Sequence, residues 1–181
     1  SNVRLITNKV NKGQSYSIFM GLQASNSDNI ITLDADLQND PSDIKNLFLN
    51  YINNEDIKLI SGVRKKRQDS IIKIISSRIA NKIRSLYLGD SCPDTGCSLK
   101  VFDKKIIMKF KFFDGIHRFI PSLYEAVGCK VLYLEVNHRF RKYGKSNYGI
   151  SNRLFKGIAH LIKVKKIINQ EKSKWLVIFH H

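Results

Sequence analysis

At 181 residues and 20.9 kDa, with 43% hydrophobic and 25% charged residues, the chain has the size and apolar content of one folded domain, not of a disordered segment. Its 31 Lys+Arg against 15 Asp+Glu give a net charge of +16, which favours anionic partners such as nucleic acid, acidic lipid or phosphorylated small molecules. Ten Gly and three Pro exclude collagen-like and linker-dominated architectures.

Val3–Thr7 is a short apolar run that reads as a strand, followed by the polar loop Asn8–Gly13. Ser15–Ala24 has helical spacing through Ile18, Phe19, Leu22 and Gln23, and Asn29–Leu33 is a second strand-like run. Pro41 stands where a helix begins, with Asp43 in its first turn and Ile44, Leu47, Phe48 and Ile52 at helical spacing. Ile57–Ser61 reads as a third strand ending at Gly62. In Ile71–Leu88, the longest periodic segment, Ile71, Ile74, Ile75, Ile79, Ile83 and Leu86 share a face, with Lys73, Arg78, Lys82 and Arg84 largely off it. This alternation predicts a βαβαβα arrangement on a parallel sheet, with every strand-to-helix loop along one edge, where such folds bind ligands.

The second half is less regular. Asp90–Gly96 is turn-rich, Ser98–Phe102 reads as a short strand, Lys104–Lys109 and Phe119–Ala126 as short helices, and Lys130–Val136 alternates like a strand. The basic, glycine-flanked loop Gly144–Gly149 leads into a helix from about Asn152 to Ile168. Cys92, Cys97 and Cys129 are an odd number without zinc-site spacing, which suits buried thiols in a reducing compartment. No apolar run approaches the ~20 residues needed to cross a bilayer.

The sharpest local feature is Leu33-Asp34-Ala35-Asp36-Leu37-Gln38-Asn39-Asp40-Pro41 at the carboxyl end of the second strand. In a regular strand Asp34 and Asp36 would point to opposite faces, so both serve one ligand only where the chain is already turning. With the Gln38 amide oxygen as a third hard ligand they suit Mg²⁺ or Mn²⁺, with water and diphosphate oxygens completing the octahedron. A solvated acidic turn before a Pro-initiated helix is the plainer alternative. The loop Arg139–Ser146 offers Arg141, Lys145 and Ser146 beside Gly144, a basic segment able to fold over a diphosphate.

The run Asn11-Lys12-Gly13-Gln14, Gly21-Leu22-Gln23-Ala24 and Ile31 through Pro41 resembles the family 2 glycosyltransferases, most closely the polyprenyl-phosphate group typified by dolichyl-phosphate mannose synthase. The resemblance continues through Gly62-Val63-Arg64, Asp94-Thr95-Gly96-Cys97-Ser98-Leu99-Lys100, Phe113 to Phe119 and Asn137 to Gly149. It implies an α/β GT-A (Rossmann-like) fold of mostly parallel sheet flanked by helices. It also implies a nucleotide-diphosphate sugar donor of mannose or glucose class, a divalent cation, inversion at the anomeric carbon and a polyprenyl-phosphate acceptor. Lys12, Asp34, Asp36, Gln38, Arg141, Lys145 and Ser146 then fall to the donor and its phosphates, and Arg64 and Arg78 to the acceptor phosphate. Asp36, Arg64 and Asp94 make the expected catalytic set, with Asp94 a site-shaping carboxylate; its plainer reading is a cap on the Thr95–Gly96 turn. The family usually has Pro where Phe140 stands and Lys where Asn147 stands. Family members also begin with two further strands that hold the nucleotide base and ribose, so a chain opening at Val3–Thr7 is expected to be N-terminally truncated.

One domain follows: the GT-A domain is expected over 1–150, continued by a C-terminal amphipathic helix with an apolar tail over 151–181. Along that helix Leu154, Ile158, Leu161 and Ile162 share a face opposite Lys156, His160 and Lys163, which suggests an anionic membrane surface as a partner. The expected location is cytoplasmic, peripheral on the cytoplasmic face of a membrane. Alternatives are a glycosyltransferase with a soluble sugar or polysaccharide acceptor, and a basic nucleic-acid-binding module. No nucleic-acid partner is expected, because no recognised RNA or DNA motif accompanies the charge.

Overall fold

A computed structural model of the chain describes residues 3–65, 71–139 and 150–178. Strands β1 (Asn29–Thr32), β2 (Ile57–Arg64), β3 (Lys100–Asp103) and β4 (Lys130–Val136) form one sheet in the order β1-β3-β2-β4. Around it lie helices α1 (Gln14–Ala24), α2 (Asp43–Ile52), α3 (Ile71–Leu88), α4 (Lys104–Ile107), α5 (Ile120–Ala126) and α6 (Ile150–Ile178), with a 3-10 turn at Ile116–Arg118 before α5. The expected α/β architecture is present, with a correction to the sheet. β1, β2 and β4 run one way, but β3 runs against them and lies between β1 and β2. The segment that feeds β3 is fastened at the carboxyl ends of its neighbours, where the Thr32 hydroxyl donates to the Ser98 carbonyl (2.7 Å), so β3 can only run back down the sheet.

Val3–Thr7 is not a strand. Val3 and Leu5 are 84% and 85% exposed, and among the described residues the only sheet neighbour of β1 is β3. An apolar run becomes a strand only where a ladder receives it.

Strand alternation divides the core. Leu59 and Phe102 join α1, α5 and α6 on one face, while Ile60, Leu99 and Val101 join Leu47 and Tyr51 of α2 on the other. β2 extends three residues beyond Ser61 because its parallel ladder with β4 runs on to Arg64↔Val136, and this puts Arg64 at the strand end. Cys92, Cys97 and Cys129 are all free.

Two helices differ from their sequence reading. The apolar stripe of α3 faces outward: Ile75, Ile79, Ile83 and Leu86 are all more than half exposed, while Arg84 is buried. The inward side is the polar set Asn81, Arg84 and Ser85, with Leu88. Arg84 Nη1 donates to Asp90 Oδ1 (2.7 Å) and Nη2 to the Cys92 carbonyl, the Ser85 hydroxyl donates to the Asp90 carbonyl, and Asn81 Nδ2 donates to the Pro93 carbonyl (3.0 Å). The loop after α3 is what α3 lies on, and that loop offers carboxylate and carbonyl oxygens. α6 places Val164 and Ile168 in the main core, with Leu161 packed against it, while Ile158 and Ile162, expected on one face with Leu161, face outward.

Candidate active site at the carboxyl edge of the sheet

The acidic loop leaves β1 and turns at once. Leu37 has a φ of 63°, a left-handed conformation uncommon for a branched apolar residue, and the turn lets the Gln38 N–H donate to Asp36 Oδ1 (3.1 Å). Asp34 Oδ1 accepts from Gln14 Nε2 at the start of α1 (2.8 Å), while Ser98 Oγ accepts from both the Asp34 N–H (3.1 Å) and Asn39 Nδ2 (2.8 Å). Ser98 thus fastens the loop at its two ends. Among the described residues no three His, Cys, Asp or Glu side chains gather for a metal ion. Two carboxylates and the Gln38 amide on one turn fit a hard cation that takes its remaining oxygens from substrate and water. Gln38 itself is partly committed, since its Nε2 donates to the Arg139 carbonyl (3.4 Å).

Arg64 and Asp94 meet at the end of β2. Arg64 Nε and Nη2 donate to Asp94 Oδ2 and Oδ1, both at 2.7 Å, and the Gly96 N–H donates to Asp94 Oδ1 (3.1 Å). A Cβ on Gly96 would stand 2.6 Å from Arg64 Nη2, so only glycine leaves room for the fork. Asp94 therefore caps its own turn and orients Arg64 together. Arg78 is exposed on α3, one turn before Asn81, which holds Pro93 and Thr95 on the same loop.

On the other side of the acidic loop, Lys12 Nζ lies 4.6 Å from the centre of the Tyr16 ring, beside the first turn of α1. In that turn the buried Ser15 Oγ lies 2.6 Å from His117 Nδ1 and accepts from the Gly115 N–H (2.7 Å). Gly115 has a φ of 90°, and a Cβ there would stand 2.4 Å from His160 Nδ1 of α6. Lys100 of β3, only 3% exposed, lies beneath this corner and donates to the Cys97 carbonyl, and burial pushes its pKa down.

Residues 38–43 are zipped to the chain beyond β4. The Arg139 N–H donates to the Gln38 carbonyl (2.8 Å), Arg139 Nη2 pairs with Asp40 Oδ2 (2.5 Å), and the Asn137 N–H donates to Asp43 Oδ2 (2.7 Å). A backbone hydrogen bond from Ser42, and then Arg139, hold the Asp40 carboxyl down at about 2. Arg141, Lys145 and Ser146 lie outside the described residues. Gln14, Asn39, Ser98 and Lys100 stand inside the quoted motifs without a role of their own, and Ser15 outside them, because each acts through a partner distant in the chain or through burial.

The family model described as Glycosyl transferase family 2 matches residues 1–110. The chain is 34% identical over 165 residues to a dodecaprenyl-phosphate galacturonate synthase of Rhizobium johnstonii, covering 90% of this chain and 48% of the relative. It is also 34% identical over 140 residues to an undecaprenyl-phosphate 4-deoxy-4-formamido-L-arabinose transferase of Aeromonas hydrophila, covering 77% and 42%. The chain thus spans about half the length of these relatives. Among solved structures, glucosyl-3-phosphoglycerate synthase of Mycobacterium tuberculosis in complex with UDP superposes with a TM-score of 0.60 at 14% identity, over 87% of this chain and 56% of that one. The same enzyme in complex with Mn²⁺, UDP-glucose and phosphoglyceric acid gives 0.54 at 14% identity, over 75% and 49%.

Proposed function

The chain belongs to the family 2 glycosyl transferases, and from that premise we propose that it moves a sugar from a nucleotide diphosphate onto a polyprenyl phosphate, with a divalent cation at Asp34, Asp36 and Gln38. One observation carries the reading: the acidic loop and the Arg64–Asp94 fork stand at the same sheet edge, and both are fastened to the segment 94–98. Held by Asp34, Asp36 and Gln38, Mg²⁺ or Mn²⁺ would supply Lewis-acid stabilisation of the departing diphosphate. Lys12 adds charge beside the first turn of α1, and Arg64, aimed by Asp94, takes the acceptor phosphate together with Arg78. A phosphate acceptor is its own nucleophile at neutral pH, since its second pKa is ~6. A hydroxyl acceptor would require a general base, and Asp94 already spends both oxygens on Arg64. That favours the lipid phosphate over a soluble sugar.

The sugar is to be sought with a donor panel. The mannose or glucose class comes from the family resemblance, whereas the relatives are named for galacturonate and 4-deoxy-4-formamido-L-arabinose. The protein is expected to form glycosyl-phospho-undecaprenol from one of UDP-glucose, UDP-galacturonate or GDP-mannose with Mg²⁺ or Mn²⁺, and to lose the reaction to EDTA. Arg64→Lys keeps the charge but not the fork, and should raise the KM for undecaprenyl phosphate roughly ten- to a hundredfold with little change in donor KM. A change confined to the donor would move Arg64 to the other substrate.

The acceptor reading includes an anionic membrane surface on the cytoplasmic face. No helix among the described residues is long and apolar enough to cross a bilayer. Support comes from the outward Ile75, Ile79, Ile83 and Leu86 of α3 and Ile158 and Ile162 of α6, beside a shallow groove lined by Tyr87, Lys165 and Lys166. Binding to vesicles containing phosphatidylglycerol should weaken with salt and fall at least ~10-fold when Ile79, Ile83 and Ile162 become Ser, each losing most of an isoleucine's transfer energy. Equal binding to neutral and anionic vesicles would remove the charge from the account.

A further inference from the structure

His117 has a fixed proton. Ser15 is 1% exposed, and its Oγ accepts from the Gly115 N–H at 2.7 Å. Among the described residues its own proton has one acceptor, His117 Nδ1, 2.6 Å away. Nδ1 therefore accepts, and the neutral ring carries its hydrogen on Nε2. That Nε2–H meets no protein acceptor among the described residues.

The ring is held neutral as well as oriented. The charged and titratable groups facing it are Arg118 and Asp114 from its own loop, Lys100 from β3 and His160 from α6. Burial and then the cations Arg118 and Lys100 oppose a second proton, holding its pKa down at about 4. His160 does not compete as a donor through Nδ1, which accepts from Arg118 Nη2 at 2.9 Å.

The ring also stands beside the acidic loop. Ser15 is next in α1 to Gln14, whose Nε2 donates to Asp34 Oδ1 (2.8 Å). Lys100, aligned with Thr32 at the end of β1, interacts electrostatically with both Asp34 and His117. A neutral N–H donor at that place suits a neutral oxygen, while the cations around it serve anionic groups. We propose that His117, with Ser15 as its positioning residue, donates from Nε2 to a hydroxyl of the transferred sugar and so distinguishes the nucleotide sugar from the free nucleoside diphosphate. The proposal rests on the transferase reading above and adds a sugar-recognising residue to it.

Histidine-selective ¹H–¹⁵N spectra of the protein should show His117 as the Nε2–H tautomer, without titration between pH 5 and 8. With saturating Mg²⁺, UDP or GDP should leave the Nε2–H resonance in place, while UDP-glucose, UDP-galacturonate or GDP-mannose should shift it. His117→Ala should weaken binding of that nucleotide sugar about three- to tenfold and leave the nucleoside diphosphate unchanged, the size expected of one neutral hydrogen bond. His117→Gln places an amide N–H near the Nε2 position and should recover most of the loss. Ser15→Ala should give a mixture of tautomers and an intermediate loss, which a purely structural contact would not produce. If the sugars leave Nε2–H unmoved while Mg²⁺ with UDP or GDP binds, or if His117→Ala weakens diphosphate and nucleotide sugar alike, the assignment is wrong and the transferase reading stands. If none of the five nucleotides binds, the transferase reading falls and this inference with it.

Discussion

Asp36→Asn is expected to lower sugar transfer roughly 10²- to 10³-fold, the scale of removing one electrostatic contact to charge that develops in the transition state. Asp34→Asn should act similarly. Asparagine is the informative replacement because it keeps an acceptor at Oδ1, where Asp36 receives the Gln38 N–H and Asp34 receives Gln14 Nε2. The turn at Leu37 then survives and only the charge is lost. Mn²⁺ titration followed by electron paramagnetic resonance should show weakened binding, with a melting temperature within a few degrees of the parent. Full activity of both variants across Mg²⁺ and Mn²⁺ titrations would remove the cation from this loop.

The largest stability effect is expected at Arg84. Its ion pair with Asp90 is almost fully enclosed, at 6% and 2% side-chain exposure, and the Ser122 hydroxyl and Cys92 carbonyl share it. Arg84→Ala would strand a buried carboxylate, at a cost of about 3–5 kcal/mol and a fall in melting temperature on the order of 10 °C. On the same helix Ile79→Ser and Ile83→Ser should each change stability by no more than about 0.5 kcal/mol, since both side chains are already more than half exposed. Urea unfolding of the three variants checks the contrast. If the isoleucine variants prove the more damaging, α3 packs with its apolar stripe inward.

That contrast marks where sequence legibility stopped. Periodicity located α3 and its apolar stripe, but periodicity describes a helix and not what lies beneath it. The inward side was set by Asp90 and the carbonyls of the following loop, and it drew in a cation. The acidic loop was legible as a turn because Asp34, Asp36 and Pro41 are local signals, and α2 and β4 were legible for the same reason. Ser98, Gln14 and Ser15 left no such trace, since their partners lie 59 to 102 residues away for Ser98 and Ser15 and 20 away for Gln14. The strand order escaped as well, because Ser98–Phe102 alternates identically whether it runs with its neighbours or against them.

The inserted strand has a consequence for how the chain acquires its structure. β1 and β2 never pair with each other: β1 waits for β3, with Asn29 opposite Asp103, and β2 waits for β3 and for β4, with Arg64 opposite Val136. Among the described residues, β1 and β2 therefore gain no ladder until residues beyond 100 have been synthesised. Pairings this distant in sequence carry a large loop-closure cost before any contact rewards it, which makes folding slow and leaves strand edges open meanwhile. The acidic loop inherits that delay, because its anchor, Ser98, arrives with β3.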